Sequence, residues 1–144
     1  MLDAIARLEA QGVRVMHRSS IYETEPQYVR DQPWFLNLAI QAETERSPRQ
    51  LLAAIQTIER EMGRERAVSK GPRIIDIDIL LFDDLVVDTP ELRVPHPHLA
   101  ERRFVLEPLA EIAPEQRHPV DGRTVREMLP EAPAQIVRRW PRGL

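Results

Sequence analysis

Two aspartates in Ile75-Asp76-Ile77-Asp78-Ile79 have the type and spacing that most directly suggest chemistry. In an extended chain alternate side chains face opposite ways, so the three isoleucines enter a core together and Asp76 and Asp78 share the other face. Their Cβ atoms then stand roughly 6.5–7 Å apart. Aspartate is depleted in strands, and at an effective dielectric of about 20 two such charges repel by about 2 kcal/mol. Magnesium would offset that repulsion, because it takes few carboxylates and completes its shell with phosphate oxygens. Two ions about 3.5–4 Å apart are within reach of carboxylates placed this way. The competing reading is a solvated strand face screened by water or arginines. For an isolated Asp-x-Asp it is the commoner case.

The residues just upstream change that balance. Arg64, Arg66, Lys70 and Arg73 lead through Gly71-Pro72 into the acidic segment. Guanidinium groups bind phosphate through forked, charge-assisted hydrogen bonds. A mobile cationic loop running into an acidic metal strand suits phosphoryl transfer from a nucleoside triphosphate, with cations for the oxygens and a metal to bridge them. The alternative is a solvated loop pairing with Glu59, Glu61 and Glu65; beside Asp76 and Asp78 the functional reading is at least its equal. Other nucleotide chemistries find no motif: there is neither a Gly-x-x-x-x-Gly-Lys-Ser/Thr nor a Gly-x-Gly-x-x-Gly segment. The histidines at 17, 96, 98 and 118 have no zinc spacing. His96 and His98, flanked by Pro95 and Pro97, are phosphate contacts or plain loop residues, and spacing alone favours the latter. Phe35 and Phe104, taken singly, read as core.

These residues need a scaffold, and the 144-residue chain is long enough for one domain with a real core. Hydrophobic residues at 42% and charged ones at 30% place it among globular proteins. A net charge of −3 argues against a general nucleic-acid binder. The absence of cysteine removes disulfides, thiolate metal sites and a catalytic thiol together. No apolar run approaches the roughly 20 residues that span a bilayer, and Met1-Leu2-Asp3 does not open a signal peptide. The expectation is a cytoplasmic protein with neither nucleic acid nor membrane as partner.

Periodicity supplies the elements. Leu2, Ile5 and Leu8 predict an amphipathic helix stopped by Gly12. Val13, Val15, His17, Ser19 and Ile21 alternate as one strand, broken at Thr24-Glu25-Pro26, and residues 35–42 alternate as another, with Phe35 and Asn37 on one face. Ser47 as N-cap, Pro48 and Gln50 form a capping box for a helix carrying Leu51, Ile55, Ile58 and Met62, with Gly63 as its stop. Residues 74–82 predict an apolar strand turning at Asp83-Asp84 into Leu85-Val86-Val87. Short helices are expected near 99–101, 105–110 and 124–129, in a half made loop-rich by proline. The order predicts an α+β domain with helices packed on a mainly antiparallel sheet.

The segment Gly71-Pro72-Arg73-Ile74-Ile75-Asp76-Ile77-Asp78-Ile79-Leu80 resembles the signature of the 6-hydroxymethyl-7,8-dihydropterin pyrophosphokinases of folate biosynthesis. Three more segments fit in order: Ser20-Ile21-Tyr22-Glu23-Thr24-Glu25-Pro26, then Phe35-Leu36-Asn37, then Val94-Pro95-His96-Pro97 continuing through Arg102-Arg103-Phe104-Val105-Leu106-Glu107-Pro108-Leu109. The resemblance implies a ferredoxin-like α/β sandwich and transfer of a pyrophosphoryl group from ATP to the pterin hydroxymethyl oxygen, releasing AMP. It implies two magnesium ions on Asp76 and Asp78. Arg64 and Arg73 would contact ATP phosphates with Arg66 as a helper, His96 would touch ATP, and Glu59 and Ile79 would lie near its adenosine. The pterin would stack between Phe35 and Phe104, with Asn37 and the backbone around Thr24 and Pro26 reading its polar edge and Arg102 nearby. A monomer is expected. No side chain is an obvious general base, so catalysis would rest on metal charge and alignment.

Relatives in this family open with a strand and a Gly-Ser-Asn loop before a full helix, whereas Met1 aligns inside that helix. The expected sheet therefore lacks its first, central strand, and a natural start upstream of Met1 is the expectation. Lys70 also stands where an aromatic is common, and the arginine loop is about one residue short. The second functional reading is a truncated, non-catalytic homologue that binds nucleotide or pterin or is only structural.

Overall fold

The computed structural model describes residues 1–26, 34–69 and 75–141, with backbone alone over 66–69. Helix α1, Leu2–Ala10, buries Ala4 and Leu8. It ends as its sequence predicts: Gly12 takes φ +83°, and the amides of Gly12 and Val13 donate to the carbonyls of Glu9 and Leu8. This is the reversal that glycine permits after a helix.

A long, irregular antiparallel hairpin follows, in two parts where the periodicity predicts two unbroken strands. β1 (Arg14–Arg18) pairs with β4 (Ile40–Glu43), and β2 (Tyr22–Thr24) pairs with β3 (Phe35–Asn37). The register slips by one residue between Val15 and His17, and again between the Arg18–Ile40 and Tyr22–Asn37 pairs. Ser19 and Ala39 mark the second break. The Ser19 amide donates to the Ala39 carbonyl while the Ser19 hydroxyl, not its carbonyl, receives the Ala39 amide, each at 2.9 Å. A side chain thus takes the place of a ladder carbonyl, and the hairpin bends there. On the far edge of β2 lies β7 (Val137–Arg139), giving the order β3-β2-β7. That C-terminal strand, in Ile136-Val137-Arg138-Arg139-Trp140, was not among the expected elements.

Helix α2 runs from Pro48 to Ser69. Its capping box is present: the Ser47 amide donates to Gln50 Oε1 at 2.9 Å and the Gln50 amide to Ser47 Oγ at 3.2 Å. Gly63 does not stop it. Among the described residues only Gly12 and Gly122 take a positive φ as glycines, and Gly63 stays helical at a cost of about 1 kcal/mol relative to alanine. The extra turns are held across to α1, where Arg7 pairs with Glu61 at 3.2 Å and Glu65 at 2.7 Å. Residues 64–69 therefore lie on a helix, not on the loop expected for them.

Residues 75–82 belong to no ladder among the described residues, which corrects the strand expected at 74–82. The alternation itself is real: Ile75, Ile77 and Ile79 are half-buried while Asp76 and Asp78 are exposed. A strand is defined by pairing as well as by period, and in place of a neighbour this segment has two isolated anchors. The Ile77 amide donates to Glu59 Oε2 on α2 at 2.8 Å, and the Leu80 carbonyl accepts from the His96 amide at 2.9 Å. The turn at Asp83-Asp84 forms as predicted, closed by the Leu85 amide on the Phe82 carbonyl. A short hairpin then pairs β5 (Val87–Asp88) with β6 (Arg93–Val94).

The expected C-terminal helices appear as a single 3₁₀ turn at Leu99–Glu101, α3 (Arg103–Ile112) and α4 (Val125–Met128). Two apolar clusters tie the layers together. Leu8, Val13, Ile55 and Ile58 join α1, the hairpin and α2, with Ile40, Ile77 and Ile79 packed on them. Ala39, Leu99, Leu106, Leu109, Val125 and Met128 join the hairpin to α3 and α4. The result is a mixed α/β fold with small antiparallel sheets.

Candidate active site

The acidic segment and the Val94-Pro95-His96-Pro97 turn meet in one cleft of about 370 Å³. Ile77, Asp78, Ile79, Leu52, Arg93 and His96 line it. Asp76 stands on the same outward face as Asp78. Neither carboxylate makes an ion pair or hydrogen bond with another described residue. Those residues also contain no group of three or more acidic, histidine or cysteine side chains that would form a protein-only metal cage. Two neighbouring, uncommitted carboxylates are the donor set magnesium uses when phosphate oxygens and water supply the remainder.

His96 has a defined protonation. Burial pushes its pKa down, and Arg102 and His98 act the same way, against the Asp78 carboxylate, which pulls it up. The net direction is down, so the ring is neutral near pH 7. Its Nδ1 accepts the His98 amide at 3.1 Å, which leaves the proton on Nε2. That nitrogen is a neutral donor suited to a phosphate oxygen.

The second part of the site is the face of β2 and β3 turned toward α3. Tyr22 opposes Asn37 and Thr24 opposes Phe35, so all four side chains stand on one face. Tyr22 hydroxyl donates to Glu111 on α3 at 2.7 Å, and Asn37 Nδ2 donates to the Phe104 carbonyl at 2.8 Å. The reverse amide orientation would set two oxygens against each other, so Asn37 Oδ1 points elsewhere. That Oδ1 is buried without a hydrogen-bond partner among the described residues, and so is Thr24 Oγ1. Buried polar atoms are nearly always paired, so two such atoms on adjacent strands stand out as candidates for contact with a polar ligand. Beside them Phe35 is 58% exposed, contrary to its reading as core, and the Arg102 guanidinium lies 5.8 Å from the Phe104 ring centroid.

The other predicted residues fall as follows. Pro26 closes the described part of the β2 exit and is half-buried. Arg64 is exposed on α2, and Glu59 is committed to the Ile77 amide. The Arg66 side chain, Lys70 and Arg73 lie outside the described residues. Sequence reasoning missed Arg93, which lines the cleft and pairs with Asp88 at 3.5 Å. Its only local signal is a charge between Leu92 and Val94. A larger cleft, about 620 Å³, opens where α1 ends, lined by Gln11, Arg14, Glu43 and Arg46 among others. It contains none of the predicted residues, and Arg46 is already bonded there to the Gln11 carbonyl at 2.8 Å.

Fold and site together define a mixed α/β protein with an acidic, histidine-bearing cleft and a polar aromatic face. The family model for 7,8-dihydro-6-hydroxymethylpterin-pyrophosphokinase (HPPK) matches residues 1–114, and the chain belongs to that family. The 2-amino-4-hydroxy-6-hydroxymethyldihydropteridine pyrophosphokinase of Pseudomonas aeruginosa is 44% identical over 140 residues, covering 97% of this chain and 85% of that protein. The protein of the same name from Bacillus subtilis is 50% identical over 110 residues, or 76% of this chain and 66% of its own. The folic acid synthesis protein fol1 of Schizosaccharomyces pombe is 47% identical over 130 residues, 90% of this chain. The chain spans only 18% of that relative's length and 17% of its Pneumocystis carinii counterpart.

Proposed function

We propose that this chain transfers the terminal pyrophosphoryl group of ATP to 6-hydroxymethyl-7,8-dihydropterin, giving AMP and the pterin diphosphate in folate biosynthesis. The observation that carries the reading is the single cleft that brings Asp78 and Ile79 together with His96. In the step, the pterin hydroxymethyl oxygen bonds to the β-phosphorus of ATP, the bond from that phosphorus to the α,β-bridging oxygen breaks, and the hydroxyl proton leaves to solvent. Asp76 and Asp78 would hold two magnesium ions, which supply charge neutralisation across the phosphate oxygens. His96 Nε2 donates to a phosphate oxygen. Arg64, Arg66 and Arg73 neutralise the polyphosphate, and Glu59 and Ile79 border the adenosine. Phe35 and Phe104 take the two faces of the pterin, with Arg102 nearby. Asn37 Oδ1 and Thr24 Oγ1 gain the partners they lack by meeting the pterin's polar edge, next to Pro26. Alignment and charge carry the catalysis.

The same reading makes the chain a ferredoxin-like sandwich and a monomer of the cytoplasm. No helix among the described residues is long and apolar enough to cross a membrane. The test is AMP formation from ATP and the pterin with and without magnesium, in wild type and in Asp76→Ala and Asp78→Ala. Loss of metal charge stabilisation predicts a fall of about 10³-fold or more in each variant. ADP as the product would exclude this reaction class.

A non-catalytic homologue that binds nucleotide or pterin is the second reading. It is favoured by the lack of any ladder for residues 75–82 among the described residues. Calorimetric binding of magnesium–ATP with no turnover would establish it.

A further inference from the structure

Residues 115–144 lie beyond the match to the family model, yet β7 from this stretch is built into the sheet that carries the orphaned Thr24 and Asn37 atoms. Beyond its ladder with β2, the Glu25 amide donates to the Ile136 carbonyl and the Trp140 amide to the Ile21 carbonyl. The side chain at the centre of this strand makes two unlike contacts. Arg138 Nε pairs with Glu23 Oε1 at 2.5 Å, and the Arg138 guanidinium lies 4.3 Å from the Trp34 ring centroid. Glu23 is a buried residue at 8% exposure, an unusual place for a carboxylate, whereas the Arg138 side chain is 62% exposed. The arginine is thus the recorded charge partner of a buried carboxylate, and removing one partner of such a pair leaves the other uncompensated.

The register explains why this matters for the site. Glu23 opposes Leu36 on one side and Arg138 on the other, so these three share a face. Trp34 precedes Phe35 and falls on that same face by alternation. Thr24, Phe35 and Asn37 occupy the opposite one. Arg138 therefore works from behind, touching the middle of β2 and the residue just before β3. One guanidinium, using its Nε–H for Glu23 and its flat cationic face for Trp34, bridges the two strands whose front side holds the candidate pterin-reading groups.

We propose that Arg138 is a positioning residue for the pterin subsite, clamping Glu23 to Trp34 so that Thr24, Phe35 and Asn37 stay in register. It touches neither substrate. The inference rests on the pterin reading of the β2–β3 face given above, and the experiment separates the two. Steady-state kinetics varying the pterin and magnesium–ATP in turn are run on wild type, Arg138→Ala and Arg138→Lys, with calorimetric titration of the pterin alone. Amide hydrogen exchange over 22–25 and 34–37 is followed in parallel.

The expected result for Arg138→Ala is a rise of about tenfold or more in the KM and Kd of the pterin. The KM of magnesium–ATP stays within about twofold, and exchange at those amides is faster. Arg138→Lys keeps the charge and recovers part of the pterin affinity. Equal changes in both KM values, or a lower melting temperature with unchanged pterin affinity, would overturn the proposal in favour of plain structural support. If the alanine variant fails to fold, the lysine variant decides through the same comparison. If wild type neither turns over nor binds the pterin, the functional reading fails instead. Exchange at 22–25 and 34–37 then decides the clamp: faster in Arg138→Ala supports it, unchanged refutes it.

Discussion

Asn37 offers a perturbation whose effects on stability and on binding should separate. Its Nδ2 donates to the Phe104 carbonyl at 2.8 Å, while its Oδ1 is buried and unpaired. Asn37→Ala removes both at once. Losing the bond and stranding the Phe104 carbonyl costs about 1–3 kcal/mol, and removing an unsatisfied buried acceptor returns about the same. The two nearly cancel, so unfolding free energy should move by no more than about 1 kcal/mol. Pterin binding has no such compensation. A pterin N–H left without its acceptor costs about 1–3 kcal/mol, which is roughly a 5- to 150-fold loss of affinity. Calorimetric titration with the pterin and urea unfolding of the same preparations measure the two quantities. Pterin affinity within twofold of wild type would refute the role given to Oδ1. A stability loss well above about 3 kcal/mol would refute the cancellation.

Two further outcomes test the scaffold. Leu106 on α3 is fully buried among Leu99, Val125 and Met128, so Leu106→Ala should lower the unfolding free energy by about 2–5 kcal/mol in chemical denaturation. A loss under about 1 kcal/mol would mean α3 is not seated as described. Glu111 joins α3 to β2 and β7 through Tyr22, Ser20 and Arg139. Burial acts to raise its pKa, but hydrogen bonds from Tyr22 and Ser20, with the Arg139 charge, overcome that and hold it below the ordinary carboxylate value. A depressed folded-state pKa contributes stability that is present above the unfolded pKa and lost as pH falls through the folded one. The stability gap between wild type and Glu111→Gln should therefore be widest near pH 7 and close on acidification; a gap unchanged from pH 7 to pH 3 would remove Glu111 from this account.

Local chemistry was legible wherever the deciding groups are near in sequence. The Gly12 stop, the Ser47–Gln50 capping box and the Asp83-Asp84 turn each involve residues within a few positions of one another, and all three formed. So did the inward isoleucines and outward aspartates of 75–79, because alternation follows from backbone geometry alone. Gly63 misled for the opposite reason: α2 runs past it, and the residues on either side, Glu61 and Glu65, pair with Arg7 of α1, a contact distant in sequence. The long hairpin was split by Ser19, whose hydroxyl outcompeted a backbone carbonyl for the Ala39 amide.

Asp76 and Asp78, their shared outward face, and the family signature around them belong to the sequence, since they depend only on residue identity and period. Tertiary structure alone decided that 75–82 pairs with no strand among the described residues, since a ladder needs a second backbone at the right distance. It also decided that β7 returns to close the other edge of β2, an approach across more than a hundred residues that no local pattern encodes. The unpaired atoms of Thr24 and Asn37 are of the same kind. Whether a polar atom finds a partner depends on everything packed around it, and only the folded chain brings those neighbours together.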